Sequence, residues 1–385
     1  MLLRIKTDEL KGLLPLISAA INLEKGETKV VKLSTQQSSQ GKKLKVQVSN
    51  NVALLTSTIS VETAPSDNSQ SVEGIFQAER LLKLLASYCK QPSIVLDIGE
   101  VLAVGIGDLD SHELTYRFAR VQSNFPDWKV GRLDKIVSIP ASVWKGMIGN
   151  VEFCCSEGQE IIRNLNLEIT KTEAILYGVS REISAVASND QNVVIHKAET
   201  NLVLSRQVKS LLSLLGKETE LEEQLIFYSF KKLIKIVLGN HVLLFNTIEG
   251  TFPSSTVNTN LNNLDFPIIV NRLELQEVIE RQSLIGSFPT ITLTGSSLSI
   301  QQQQEVGSGS EAISIYVEEE LGEPINLSLN IFKLQRVIKT IDSPEIRLSI
   351  NKTQDNKLVA INPCLSQADD KDSSALSYLV CPIVA

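Results

Sequence analysis

The sequence predicts an α+β fold of six repeated units, each a single amphipathic helix set against antiparallel strands. Three observations support this: an apolar spacing that recurs six times, strand-like alternation between the recurrences, and polar, turn-rich segments that close the gaps. The spacing is an apolar residue at the end of an extended segment, followed by apolar residues five, eight and nine positions later. Those last three positions share one face of an α-helix, so each match describes a short helix entered from a strand.

The matches fall in order along the chain. The first is Ile5, Leu10, Leu13 and Leu14, and the second is Phe76, Leu81, Leu84 and Leu85. The third is Ile139, Trp144, Met147 and Ile148, and the fourth is Val203, Val208, Leu211 and Leu212. The fifth is Val270, Leu275, Val278 and Ile279, and the last is Leu329, Leu334, Val337 and Ile338. Successive starts lie 71, 63, 64, 67 and 59 residues apart, an evenness that a chance scatter of apolar residues would not produce. Between the helices, runs such as Ser93-Ile-Val-Leu-Asp-Ile, Leu225-Ile-Phe-Tyr-Ser-Phe and Thr290-Ile-Thr-Leu-Thr have strand composition. Thr35 to Lys43, Pro65 to Ser71, Gln301 to Ser310 and Gln367 to Ser377 are expected to be solvated loops, the glutamine run among them.

Two units make a domain of ordinary size. Phe125-Pro126 and Phe252-Pro253 each follow the last strand of a two-unit block and mark connectors. Three domains are therefore expected, at 1–128, 129–256 and 257–385.

Composition narrows the function. With 43% hydrophobic residues in 385, each block can bury a core. There is no apolar run of about 18 residues, and the opening Met1-Leu-Leu-Arg-Ile-Lys-Thr-Asp-Glu is charged where a leader would be apolar, so a soluble, cytoplasmic protein that does not engage a membrane is expected. Cys89, Cys154, Cys155, Cys364 and Cys381 form no CxxC pair and are expected to be reduced and structural, with no metal site. His112, His196 and His241 are scattered and have no partner motif. Gly105 to Gly107 is too short for a phosphate cradle. No catalytic constellation or cofactor motif emerges, so the chain is expected not to be an enzyme and to need no cofactor.

Net charge is −7, but the charge is unevenly distributed. The helical spans hold thirteen of the 37 basic residues and only six of the 44 acidic ones. The thirteen are Lys11, Arg80, Lys83, Lys90, Lys145, Arg206, Lys209, Lys217, Arg272, Arg281, Lys333, Arg336 and Lys339. Helices that are basic within an otherwise acidic chain suit a curved arrangement with sheets outside and helices inside, attracting a phosphate backbone within and repelling it elsewhere. The sequence shows no helix-turn-helix signature, no finger spacing and no aromatic-basic strand motif, so contact with DNA is expected to be loose and sequence-blind.

Several motifs resemble those of the bacterial DNA polymerase III beta subunit, the beta sliding clamp family, over nearly the whole chain. They are Ile5-Lys-Thr-Asp-Glu-Leu-Lys, Asn124-Phe-Pro-Asp-Trp, Glu249-Gly-Thr-Phe-Pro and Ser377-Tyr-Leu-Val-Cys-Pro-Ile. The resemblance implies three tandem clamp domains, a head-to-tail homodimer closed around duplex DNA, and a replicative DNA polymerase and clamp loader as partners. With the helices lining such a ring, the residues expected to face DNA are Lys11, Lys25, Arg80, Lys83, Lys145, Arg206, Lys209, Arg272, Lys333 and Arg336. The resemblance also implies a partner-peptide pocket at Leu165, Tyr177, Val179, Arg181, Ile183, Pro253, Val257, Leu379, Val380, Pro382 and Ile383. A dimer interface is implied at Tyr116 and Phe118, meeting Leu284 and Ile285 of a second copy. The chain departs from the family where Tyr177-Gly-Val-Ser-Arg-Glu-Ile replaces Thr-Asp-Gly-His-Arg-Leu-Ala, keeping Arg181 but not the Asp and His. Val257 stands near the position of the family's basic residue after the Phe-Pro turn, and the end Ile383-Val384-Ala385 has no late Arg. The alternative function is a scaffold of the same fold that recruits replication or repair proteins without encircling DNA.

Overall fold

Each of the six apolar matches carries a helix. The structure, a computed structural model, describes residues 1–23, 29–39, 41–64, 71–122, 125–155, 161–190, 192–215, 223–264, 266–305, 307–317, 319–351, 358–364 and 375–381. Its helices are α1 (Thr7–Ile21), α2 (Ala78–Tyr88), α3 (Ala141–Val151), α4 (Lys209–Leu215), α5 (Ser254–Asn262), α6 (Arg272–Gln282) and α7 (Ile331–Thr340). All but α5 sit on the repeat, and a 3₁₀ turn at Arg206–Val208 leads into α4. Every residue of the six matches is buried except Leu14 and Leu84, which are half-exposed. Local chemistry helps set the starts: Asn271 and Asn330 cap α6 and α7, accepting the amides of Glu274 and of Phe332 and Lys333.

Compactness divides the chain into two units. The first comprises Met1–Lys145, Val194–Ala198 and Gln207–Ile248. It holds a five-stranded sheet in the order Glu62–Thr63, Leu2–Lys6, Ser93–Ile98, Val101–Gly107 and His112–Ala119. A nine-stranded sheet runs from Val194–Ile195 through Asp134–Pro140, Gln224–Phe230, Leu233–Leu238 and His241–Asn246. It continues through Ala53–Ser60, Gly41–Ser49 and Val30–Ser38 to Glu73–Gln77. The join between the first and second sequence blocks is made by His241–Asn246 pairing antiparallel with Ala53–Ser60. In the core of this unit the Trp144 indole donates to the Leu212 carbonyl at 2.9 Å and lies 5.2 Å from the Phe227 ring, so its one polar atom is satisfied.

The second unit comprises Gly146–Val193, Glu199–Arg206 and Glu249–Ala385. Its twelve-stranded sheet opens with Thr200–Leu204, Leu165–Ile169, Ala174–Val179 and Ile183–Asn189, then Ala375–Val380, Val359–Pro363 and Glu345–Ile350. Phe266–Asn271, Gly307–Val317, Ser297–Gln304, Thr290–Leu293 and Ile325–Ser328 complete it. Tyr378, fully buried, donates to the Asn150 carbonyl at 3.1 Å and lies 2.7 Å from Thr340 Oγ1.

Four sequence expectations need correction. Thr35 to Lys43 is a tight hairpin between Val30–Ser38 and Gly41–Ser49, since Thr35 and Leu44 are buried and pair across it. The glutamine run is also strand: Gln301 to Gln304 pair with Gly307 to Ser310, and Gln302 is buried, because glutamine can pair its backbone as well as any residue. Helix α5 lies in the Phe252-Pro253 connector and spans the 256/257 block boundary. With only Val257 of its residues buried, it carries no apolar stripe to betray it. Of the other expected loops, residues 65–70 and 367–374 lie outside the described residues, and Ala375 to Ser377 are not loop but the start of the strand Ala375–Val380, paired with Val186 to Ser188.

His241 lies on the core side of the nine-stranded sheet, its Nδ1 2.8 Å from Ser57 Oγ, and burial holds its imidazole below the ordinary value. The unfolded chain takes up a proton below about pH 6.5 while the folded one resists, so the folded state loses stability as pH falls through that range. Melting followed from pH 7.5 to 5 is expected to fall for the wild type and to fall less steeply for His241→Asn. Identical slopes would show that the histidine does not contribute.

Candidate nucleic-acid interface

The apolar faces of the helices fix where their lysines and arginines go. With Leu81 and Leu85 in the core, α2 presents Arg80 and Lys83 to solvent. Its one acid, Glu79, is held by Lys29 at 3.0 Å, whose hydrogen bond keeps that carboxyl below its usual range. Among the described residues Arg80, Lys83, Lys145, Arg206 and Lys333 form no ion pair; Arg80, Lys83, Lys145 and Arg206 are exposed, and Lys333 and Lys209 half-exposed. Arg336 is exposed on α7 with its guanidinium 4.8 Å from the Phe153 ring centroid.

Two helices differ. On α1, Lys11 is paired with Asp8 at 2.7 Å. On α6, the Arg272 guanidinium donates to the Ser343 carbonyl and to Gln276, and Arg281 pairs with Glu311 at 2.6 Å. Glu280 draws Lys339 of α7 to 3.0 Å, a hydrogen bond that lowers its carboxyl. Exposed pairs of this kind are worth about 0–1 kcal/mol, but each cancels a local charge. The positive faces thus concentrate on α2, α3, α4 and α7, and Lys25 and Lys217 lie outside the described residues.

The residues suggested for a peptide pocket all belong to the second unit, where most are core. Leu165, Tyr177, Ile183, Leu379 and Val380 are 2% exposed or less, and Val179 and Val257 are buried too. Ile183 pairs directly with Val380 in the sheet, so the last strand is held between Ile183–Asn189 and Val359–Pro363. Arg181 is exposed and Pro253 half-exposed; Pro382 and Ile383 lie outside the described residues. Tyr177 is tied to α5: its hydroxyl accepts from Asn258 Nδ2 at 2.9 Å, its ring lies 6.3 Å from Phe252, and burial pushes its hydroxyl up to about 12.

Two of the open strand edges among the described residues hold or adjoin the residues suggested for a dimer. His112–Ala119 has a neighbour only on its Val101–Gly107 side, with Tyr116 48% exposed and edge-on to Tyr88 at 6.2 Å, and Phe118 half-exposed. In the second unit, Gly307–Val317 pairs along its length with Ser297–Gln304, but its other edge is paired only at residues 315–317. Leu284, just past α6, is 84% exposed, and Ile285 beside it is half-exposed.

The sequence reading missed one assembly. Tyr228 lies directly opposite Lys135 on one side and Lys235 on the other, with Lys235 Nζ 5.3 Å from its ring centroid. Phe230 closes the same strand before the turn Lys231–Lys232, and Lys231 Nζ sits 5.4 Å from that ring. Lys231 adopts φ 54°, left-handed backbone that costs an L side chain about 1–2 kcal/mol. The signal was present in Phe227-Tyr-Ser-Phe-Lys-Lys-Leu-Ile-Lys. An aromatic-basic motif does exist here, completed across strands by Lys135.

The chain is built of repeated helix-on-antiparallel-sheet units whose helices turn basic residues to solvent. Sequence comparison finds no matching family model and no matching curated protein. Structural comparison finds the DNA polymerase III beta subunit of Thermotoga maritima, with a TM-score of 0.82, 14% identity and full coverage of both chains. The Pseudomonas aeruginosa DNA polymerase sliding clamp matches at 0.79 and 16%, and the Helicobacter pylori beta clamp at 0.78 and 15%, again with both chains fully covered. The chain has the three-domain fold of these beta clamps.

Tyr177→Phe removes the acceptor of Asn258 and is expected to cost about 1 kcal/mol at neutral pH. Because the folded value of the wild-type hydroxyl is raised, the unfolded state ionises first above about pH 10 and wild-type stability declines toward pH 12. Chemical denaturation at pH 7 and 11 should show a smaller decline for the variant. An equal decline would mean that Tyr177 is not protected by burial.

Proposed function

We propose that this chain is a DNA sliding clamp, a divergent member of the bacterial DNA polymerase III beta subunit family. Two copies close head to tail around duplex DNA in the cytoplasm and tether a replicative polymerase, and a clamp loader opens and places the ring. The chain itself performs no reaction. Its domains follow the sequence blocks 1–128, 129–256 and 257–385. The observation that carries this reading is the set of exposed basic residues without ion-pair partners among the described residues, Arg80, Lys83, Lys145 and Arg206, on or at the start of helices whose apolar faces are committed to the sheets. Lys209, Lys333 and Arg336 extend the set, and Lys11, Lys25 and Arg272 are its weaker members. Such a surface holds phosphates by charge alone and lets DNA slide.

The dimer forms where the open edge of His112–Ala119, with Tyr116 and Phe118, meets Leu284 and Ile285 of the second copy. An open strand edge and an 84% exposed leucine are each surfaces that solvent does not favour. Partner peptides dock beside Arg181 and Pro253, with the apolar residues of the last strand and Val257 forming the floor. Because those floor residues are packed, binding requires local opening or uses the rim.

The reading is tested on circular and linear duplex after loading. Retention on circles and loss from linear ends are expected. Reversing Arg80, Lys83, Arg206, Lys209, Lys333 and Arg336 together is expected to abolish retention without lowering the melting temperature, and normal retention of that variant would contradict the proposal. Light scattering of Leu284→Ala/Ile285→Lys is expected to give the monomer mass, whereas an unchanged dimer would place the interface elsewhere.

A further inference from the structure

Within the acidic remainder of the chain, the hairpin of Gln224–Phe230 and Leu233–Leu238 is locally basic. Strand alternation sends Phe227 inward against Trp144, so Tyr228 and Phe230 emerge on the opposite face of the nine-stranded sheet. Two same-face rings on one strand stand about 7 Å apart. Phe230 is 47% exposed. Four lysines frame the rings: Lys135 and Lys235 flank Tyr228 across the ladder, and Lys231 and Lys232 form the turn beyond Phe230. Among the described residues Lys135, Lys231 and Lys235 have no carboxylate partner, and Asp134, the neighbouring acid, is occupied by Lys197 at 3.0 Å. Burial, and behind it Lys135, hold His196 below its ordinary value, in keeping with positive potential at this end of the sheet.

We infer that this hairpin face is a binding platform for single-stranded nucleic acid, separate from the helix surface proposed for the duplex. An exposed Phe230 and a half-exposed Tyr228 on one sheet face offer stacking surfaces to successive unpaired bases, while ammonium groups beside them take the phosphates. A duplex hides its base faces and gains nothing from the rings. An acidic peptide would use the lysines but not Tyr228 and Phe230. Lys231 is consistent with this: a turn position that favours glycine is filled by a lysine held 5.4 Å from the outermost ring.

The test is fluorescence anisotropy of a labelled oligothymidylate and of a duplex of equal length, with the full chain at low ionic strength. The wild type is expected to bind the oligothymidylate, and Tyr228→Ala/Phe230→Ala to weaken that binding by about 10-fold or more while leaving duplex binding unchanged. Tyr228→Phe, which keeps the ring, should retain the wild-type affinity. Lys231→Glu/Lys235→Glu gives an independent loss should the alanine pair fail to fold, as judged by melting. The six-residue helix reversal should leave oligothymidylate binding in place. The inference is overturned if the hairpin variants bind the oligothymidylate normally or if only the helix reversal abolishes its binding. It is equally overturned if the wild type ignores the oligothymidylate yet binds polyglutamate through Lys231 and Lys235, which would make this an acidic-peptide surface.

Discussion

Each helix of the repeat can bury only one face, and most of the molecule's chemistry follows from that. Trp144, Met147 and Ile148 on α3, like Leu275, Val278 and Ile279 on α6, go into the core, and the strand-end residue before each helix goes with them. Burying an aliphatic side chain of this size stabilises by about 1.5–3 kcal/mol, far more than any surface charge contributes, so apolar spacing decides the orientation of the helix and the lysines occupy what remains. Arg80 and Lys83 face solvent because Leu81 and Leu85 do not. The basic surface is therefore a by-product of packing that charge then puts to use.

This explains what was legible in the sequence. The six helices could be read because their signal is local and apolar, and it survived even where α4 is short and entered through a 3₁₀ turn. Helix α5 could not, because a helix carrying Ser254, Asn258, Thr259 and Asn260 with one buried residue has no periodicity to detect. The glutamine strand was misread for a related reason: polar composition suggested a loop, while pairing is a backbone property that Gly307 to Ser310 completed. Pairing of His241–Asn246 with Ala53–Ser60, nearly two hundred positions away, has no local signature at all.

The candidate sites were legible to a lesser degree. Counting charges found basic helices but could not see that Lys11, Arg281 and Lys339 are spent on Asp8, Glu311 and Glu280. Along the last strand, apolar residues in sequence do not distinguish pocket wall from sheet core, and register adds only that Val380 stands against Ile183. Of the Tyr228 cluster, Phe227 to Lys235 stood together in the sequence and only Lys135, from a strand far earlier in the chain, did not.

The central claim is that the helices, and not the sheet faces, meet duplex DNA. Photo-crosslinking residues placed singly at Lys83 and Arg206 on the helical side, and at Lys45 on the solvent face of the Gly41–Ser49 strand, test it on circular duplex. The account predicts crosslinks to the duplex from positions 83 and 206 and none above background from 45. Equal or stronger crosslinking from position 45 would contradict it.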